Sequence, residues 1–219
     1  MILSRYNLGS QNPKYRFSST LYWTKYLVGL TIISSSLLSF SVAAQATGIS
    51  EEAQLEIDQC LDGNFSACHE VAMRYDFGDD VPQDFEKSAS YYTKGCQGGN
   101  SDACYNLAVA YDSGEGVQQD HAKAVSYFIK SCDAGDLDAC FSLAISYDEG
   151  EGVAIDDEKA VSLYSQGCNS GHMNSCYNLA VSYEDGEGVE KDEKRAIDLY
   201  DRVCKSGDED GCERLNELR

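Results

Sequence analysis

Apolar and small residues recur along this chain at intervals of three and four, which is the spacing of one face of an α-helix. One such segment carries them at Ala103, Cys104, Leu107, Ala108 and Tyr111. A second type of segment follows, with apolar positions at Ala124, Val125, Tyr127, Phe128 and Cys132. Glycine-rich sequence separates the two. The pattern predicts a pair of amphipathic helices, here named helix A and helix B, joined by a glycine loop.

The helix pair recurs with a period of 36 residues, which ten cysteines mark most clearly. The two cysteines of each pair are eight residues apart: Cys60 and Cys68, Cys96 and Cys104, Cys132 and Cys140, Cys168 and Cys176, Cys204 and Cys212. A strict period of this length predicts a solenoid, in which each unit contacts mainly its neighbours. We therefore expect an all-α protein, an αα-solenoid of 36-residue helix–loop–helix repeats.

Turn and capping residues keep the same period. A corner glycine, free to adopt positive φ, ends helix B at Gly63, Gly99, Gly135, Gly171 and Gly207. The next residue is placed to cap helix A: Asn64, Asn100, Asp136, His172 and Asp208. Helix B is expected to start after Asp84, Asp120, Asp156 and Asp192. Of these caps, His172 is expected to be the weak one.

The period gives a domain order for the whole chain. We expect a signal peptide at 1–46, an N-terminal capping half-repeat at 47–63, four repeats, and a charged capping helix at 208–219. The four repeats cover 64–99, 100–135, 136–171 and 172–207. Terminal units of a solenoid are atypical because one face meets water. The loop of the first repeat departs from the pattern, because Asp80 stands where the others have a second glycine.

The unit resembles a known family of repeats. The series Leu-Ala-x-x-Tyr-x-x-Gly-x-Gly-Val, followed by Asp-x-x-Lys-Ala, is similar to the Sel1-like repeat, a relative of the tetratricopeptide repeat. Cysteine at the helix corners is similar to the cysteine-rich Hcp branch of that family. The resemblance covers about residues 51–219. It implies a stack whose helix A face lines a concave groove, and it also implies penicillin binding with weak β-lactamase activity.

The N-terminal sequence predicts export. The first 26 residues carry four basic residues and no acid, 27–42 are mostly apolar, and small residues follow at Ala44 and Ala46. We interpret this as a signal peptide cleaved after Ala46 or Ala44. The alternative is an uncleaved anchor, but the apolar run is short for a bilayer and is interrupted by serines. The chain is expected in the periplasm or outside the cell, without stable membrane insertion after cleavage.

Export places the cysteines in an oxidising compartment, where an even number in register indicates disulfides. The pairing that every repeat can share joins the two cysteines eight residues apart at each corner. Zinc is a poor alternative, because structural zinc sites favour more closely spaced ligands and histidines. A calcium site on the acidic loops is a further alternative, although their spacing is not that of a known calcium loop. The sequence predicts no metal site and no cofactor.

Charge limits the class of partner. The chain has 17 basic and 37 acidic residues, and the first 46 residues hold four of the bases, so the mature chain would carry −24. Such a surface repels nucleic acid and anionic lipid. A protein or peptide partner is expected, with a cationic one favoured by charge; simple solubility is the alternative meaning of the acidity.

A second apolar stripe on helix A predicts a binding groove. Large residues repeat beside the core stripe at His69, Tyr105, Phe141 and Tyr177, and again one turn later at Met73, Val109, Ile145 and Val181. The candidate binding residues are Tyr105, Asn106, Phe141, Tyr177 and Asn178, with the two asparagines placed to bond a peptide backbone. The alternative is that these rings only pack between repeats.

Catalysis has little support in the sequence. The three histidines occupy different slots of the repeat, and no serine has a lysine three residues later, as serine β-lactamases require. Lys205-Ser206-Gly207 matches one short element of those enzymes but stands at a helix end. We predict no catalytic residues and an exported scaffold for protein or peptide binding. One alternative is a protein that binds a β-lactam or a cell-wall fragment and has weak hydrolase activity. Another is a secreted host-modulating factor.

Overall fold

A computed structural model describes residues 48–219, and the proposed signal peptide lies outside that range. Ten helices and no strand occupy the described range, which confirms the all-α prediction. Their bounds are α1 Glu51–Leu61, α2 Phe65–Phe77, α3 Phe85–Gln97, α4 Ser101–Ser113, α5 His121–Asp133, α6 Leu137–Glu149, α7 Asp157–Asn169, α8 Met173–Asp185, α9 Glu193–Lys205 and α10 Glu209–Glu217.

The helices alternate between the two predicted types. Helix A is represented by α2, α4, α6, α8 and α10, and helix B by α1, α3, α5, α7 and α9. Each helix packs mainly on the helices before and after it in the chain. The predicted αα-solenoid of helix–loop–helix repeats is therefore the observed fold.

Side-chain caps begin the helices where the sequence predicts them. Asp84, Asp120, Asp156 and Asp192 each accept a backbone N–H bond at the start of a helix B. His172 also caps its helix, because its Nδ1 accepts from the backbone N–H of Ser175 at 3.3 Å. Its Nε2 lies 3.2 Å from Oδ1 of Asp138 in the preceding repeat, which orients the ring. The cap bond of His172 is the longest among the helix A caps, and its weakness stays a prediction.

The second loop glycine brings two backbones together. Gly152 has φ +71°, and a Cβ added there would lie 2.2 Å from the carbonyl oxygen of His121, at the start of α5. Gly116 makes the same approach to the carbonyl oxygen of Phe85, at the start of α3. The loop that contains each of these glycines therefore contacts the first turn of helix B in the preceding repeat. Only glycine leaves room for that contact.

The first loop keeps the same backbone form with aspartate in place of glycine. Asp80 has φ +59°, a conformation that aspartate adopts more readily than most residues. Its Oδ2 accepts from Arg74 at 3.0 Å, and Arg74 also forms a two-bond pair with Glu56 of α1. Asp80, which replaces the loop glycine, is thus part of an ion-pair network that joins α1 to the first repeat.

Five disulfides join the corners, as predicted. Cys60–Cys68, Cys96–Cys104, Cys132–Cys140, Cys168–Cys176 and Cys204–Cys212 are bonded, and no cysteine of the described range is free. Each bridge links the last turn of a helix B to the first turn of the following helix A. Most of these cysteines are buried, for example Cys96 and Cys104 at 1% exposure each. The bridges are therefore part of the packed core between repeats.

Candidate functional site

The predicted groove residues form a row of half-buried rings on helix A. Each ring packs against the aromatic residue of helix B in its own repeat. The centroid distances are 5.9 Å for Tyr105–Phe128, 6.0 Å for Phe141–Tyr164 and 5.4 Å for Tyr177–Tyr200. His69 makes the equivalent contact with Tyr92 at 5.8 Å. The row is thus supported from within each repeat. Part of Tyr105, Phe141 and Tyr177 stays accessible, whereas His69 is only 8% exposed.

The next position along helix A is more exposed. Val109, one turn from Tyr105, leaves 40% of its surface in water, although it is apolar. Ile145 and Val181 hold the same position in the following repeats and are half-buried. The solenoid thus keeps apolar surface beside its ring row. Exposed apolar surface of this kind is typical of interaction sites.

The two predicted asparagines have different environments. Asn106 is half-buried, and its Nδ2 donates to Nε2 of His69 in the preceding repeat at 3.0 Å. Asn178 is only 4% exposed, and its Nδ2 has no hydrogen-bond partner in the described chain. Asn106 therefore lies at the surface beside the ring row, whereas Asn178 lies beneath it. Although the two share a slot of the repeat, the structure gives only Asn106 direct access to a ligand.

A row of acids lies at the seams between repeats, where the sequence analysis considered the acidic loops only as a calcium site. Each seam combines an acid near the end of helix A, the helix B aromatic of the same repeat, and one side chain of the next helix A. The acids are Asp76, Asp112, Asp148 and Glu184, and the helix B residues are Tyr92, Phe128, Tyr164 and Tyr200. The sequence signal was present, because an acid recurs in this slot of all four repeats.

The histidines do not converge. His69 lies in the ring row, His172 caps α8, and His121 pairs through Nδ1 with Oδ1 of Asp112 at 2.8 Å. That bond to Asp112 raises the pKa of His121. One ligand atom each from Asp112, His121 and Glu151 lie within 4.8 Å of one another. Carboxylates and an imidazole are metal-ligating groups, but this cluster is partly exposed and its histidine is already paired with a carboxylate.

The short enzyme-like element is a helix end, as expected. Ser206 is the C-cap of α9, and its Oγ donates to the carbonyl oxygen of Val203 at 2.6 Å. The Lys205 amine pairs with Asp201 one turn earlier. Both residues are exposed. The implied β-lactam chemistry thus gains no support from the described residues.

Together, the fold and the helix A face define this molecule as a disulfide-linked αα-solenoid repeat protein, the class of scaffold used for protein interaction. The family model for the Sel1 repeat matches residues 65–100, 101–136, 137–172 and 174–208. The chain therefore belongs to the Sel1 repeat family. A search of curated proteins found no match.

Similar solved structures come from several bacteria. A protective antigen of uropathogenic Escherichia coli strains, described as displaying an SLR fold, has a TM-score of 0.71 and 26% identity over 84% of this chain. A Sel1 repeat protein from Oxalobacter formigenes has a TM-score of 0.67 and 26% identity over 70% of this chain. This chain covers 44% and 63% of those two proteins. The cysteine-rich protein B of Helicobacter pylori has 30% identity over 63% of this chain and 99% of its own, with a TM-score of 0.49.

Proposed function

We propose that the chain is an exported scaffold that binds a protein or an extended peptide through the helix A face. The observation that carries this proposal is the ring row, in which Tyr105, Phe141 and Tyr177 are held by helix B partners while part of each ring stays accessible. Rigid, partly buried aromatic side chains are favourable anchors for a partner because they lose little entropy on binding. The exposed Val109 extends the same apolar surface.

The partner is proposed to be cationic. The chain has a net charge of −20, and acids occupy every seam beside the ring row. Electrostatic attraction of this kind speeds the association of oppositely charged partners and selects against anionic ones. Neither a β-lactam nor a cell-wall fragment has a matching feature in the site, so both remain implications of the family resemblance alone.

We expect Val109→Arg to weaken the binding of peptides selected from a displayed random library by at least about tenfold. The substitution places a long cationic side chain on the ring row. Ile129→Arg is the matched control, because Ile129 is 38% exposed, against 40% for Val109, but lies on helix B. Affinities and melting temperatures of both variants should be measured against the unaltered chain. Equal loss of binding in the two variants would contradict a helix A site.

Export is proposed from the N-terminal sequence and the five disulfides, which indicate an oxidising compartment outside the cytoplasm. No helix of the 48–219 range is long and apolar enough to cross a membrane. When the whole chain is expressed in a bacterium, N-terminal sequencing of the periplasmic fraction should give a chain that starts at Gln45 or Thr47. Recovery of uncut protein in the membrane fraction would instead support the anchor alternative.

A further inference from the structure

A recess of about 50 Å³ opens at the seam between the first and second repeats. Six residues that line it are Asp76, Ser88, Tyr92, Asn106, Val109 and Glu115. By the same measure of volume one water needs about 10–15 Å³, so the recess has room for roughly four water-sized groups. Because Asn106 and Val109 belong to the proposed binding face, a side chain of a bound peptide can enter the recess from there.

Two carboxylates, Asp76 and Glu115, line the recess. None of the described residues that line it carries a positive charge. Burial raises the pKa of Asp76, and the charge of Glu115 raises it further, while the hydroxyls of Ser88 and Tyr92 offset part of the rise. Ser88 is 2% exposed, and its Oγ forms no hydrogen bond of ordinary geometry. A half-buried carboxylate with two hydroxyl groups beside it therefore faces a space that a positively charged hydrogen-bond donor would suit.

The last seam shows which group fills such a space. Three repeats on from Asp76, Tyr92 and Asn106, the same slots hold Glu184, Tyr200 and Arg214. The Tyr200 hydroxyl donates to Glu184 Oε2 at 3.0 Å, and Arg214 Nη2 donates to Glu184 Oε1 at 2.5 Å. The terminal helix thus places a guanidinium group in its seam. The shorter Asn106 leaves the equivalent space of the first seam open.

The two middle seams are closed in other ways. In the second seam, His121 pairs with Asp112, and Phe128 offers no hydroxyl group. In the third seam, Tyr164 and Asn178 are 1% and 4% exposed, so neither side chain is open to a ligand. The first seam is therefore the one that combines an open recess, a half-buried acid and a tyrosine.

We propose that this recess is a subsite for a guanidinium group, that is, for an arginine side chain of the partner. The inference rests on the proposed function, because it takes the partner to be a peptide on the helix A face. A guanidinium group has four non-hydrogen atoms, so it is small enough for a recess with room for roughly four water-sized groups. Its planar set of donors can bond a carboxylate and neighbouring hydroxyl and amide oxygens together, which an ammonium group does less well.

The direct test uses acetyl-arginine methylamide as the probe and its neutral citrulline analogue as the control, with the full-length oxidised chain. We expect the arginine probe to shift the side-chain amide signals of Asn106 in NMR spectra. The shift should reach a plateau as the probe concentration rises. The citrulline analogue should cause no saturable shift. Equal shifts from both probes, or none from arginine, would overturn the subsite.

Two variants identify the group responsible. Asp76→Asn should lower the affinity for the arginine probe by about thirtyfold or more, because it removes the half-buried charge that pairs with the guanidinium group. The melting temperature of the Asp76→Asn variant should not fall, because the substitution also removes a charge whose burial is unfavourable. Asp112→Asn is the matched control, at the same slot of the next repeat, and should leave the affinity unchanged. If Asp76→Asn fails to fold, Asn106→Arg gives a second test, because the chain's own guanidinium group should then block the probe.

The same variants separate this inference from the proposed function. If selected peptides lose affinity in Val109→Arg but bind Asp76→Asn and the unaltered chain equally, the binding face stands and the arginine subsite is wrong. If the arginine probe binds at the recess but no peptide depends on Val109, the subsite stands and the proposed function is wrong.

Discussion

Replacing Gly152 with alanine is expected to lower the free energy of unfolding by about 3 kcal/mol. Two costs combine in this estimate. Alanine disfavours the observed φ of +71°, and its Cβ would lie 2.2 Å from the carbonyl oxygen of His121. That oxygen belongs to the first turn of α5, so relief of the clash requires two repeats to move apart. Because each repeat is stabilised mainly by its neighbours, the loss affects the whole stack.

The matched control is Gly99→Ala. Gly99 also has positive φ, at +89°, but a Cβ there meets nothing within 4 Å. Only the backbone cost of about 1 kcal/mol remains in that variant. Urea denaturation of both variants should show a clearly larger loss for Gly152→Ala. Equal losses would mean that the contact between loop and helix contributes nothing to stability.

Reduction of the disulfides is expected to have the largest effect. Each bridge closes a loop of about nine residues, because its cysteines are eight apart, and the loop-entropy estimate is about 2.5 kcal/mol per bridge. Five bridges together contribute on the order of 10 kcal/mol, which is comparable with the whole stability of a typical domain. We therefore expect the fully reduced chain to lose its cooperative melting transition and most of its helical circular dichroism signal.

Variants that lack one bridge distinguish the entropic contribution of a disulfide from its contribution to packing. Cys96→Ala with Cys104→Ala removes two side chains that are 1% exposed each, whereas Cys204→Ala with Cys212→Ala removes two that are half-buried. Because the loops are equal in length, the entropic loss is the same for both pairs. The inner pair should therefore cost more, by about 1 kcal/mol, through lost packing. A reduced chain that melts within a few degrees of the oxidised one would contradict the dominant role of the bridges.

The period in the sequence was sufficient to predict the fold, because each local device of a solenoid recurs with it. The cysteine pairs, the capping aspartates and the corner glycines all lie where the 36-residue spacing placed them. Their geometry depends only on neighbours in the chain. Such features can be predicted from one sequence without knowledge of how repeats contact one another.

The candidate site was less predictable, because it depends on contacts between repeats. Asn106 and Asn178 share a slot and a residue type, yet one lies at the surface and the other is 4% exposed. The difference lies in their neighbours, since Asn106 bonds His69 while Asn178 lies beside the buried Tyr164. Arg214 likewise looked like part of a charged capping helix, and only the structure joins it to Glu184. Sequence periodicity identifies the slots but not which of them remain open.

The placement of the disulfides also affects how such a chain can change in length during evolution. Every bridge is contained within one corner and joins cysteines eight residues apart. A duplication or deletion of one 36-residue unit therefore adds or removes a complete cysteine pair. No thiol is left without its partner, and the existing bridges need not be rearranged. The pattern of bridges thus sets no limit on the number of units in the stack.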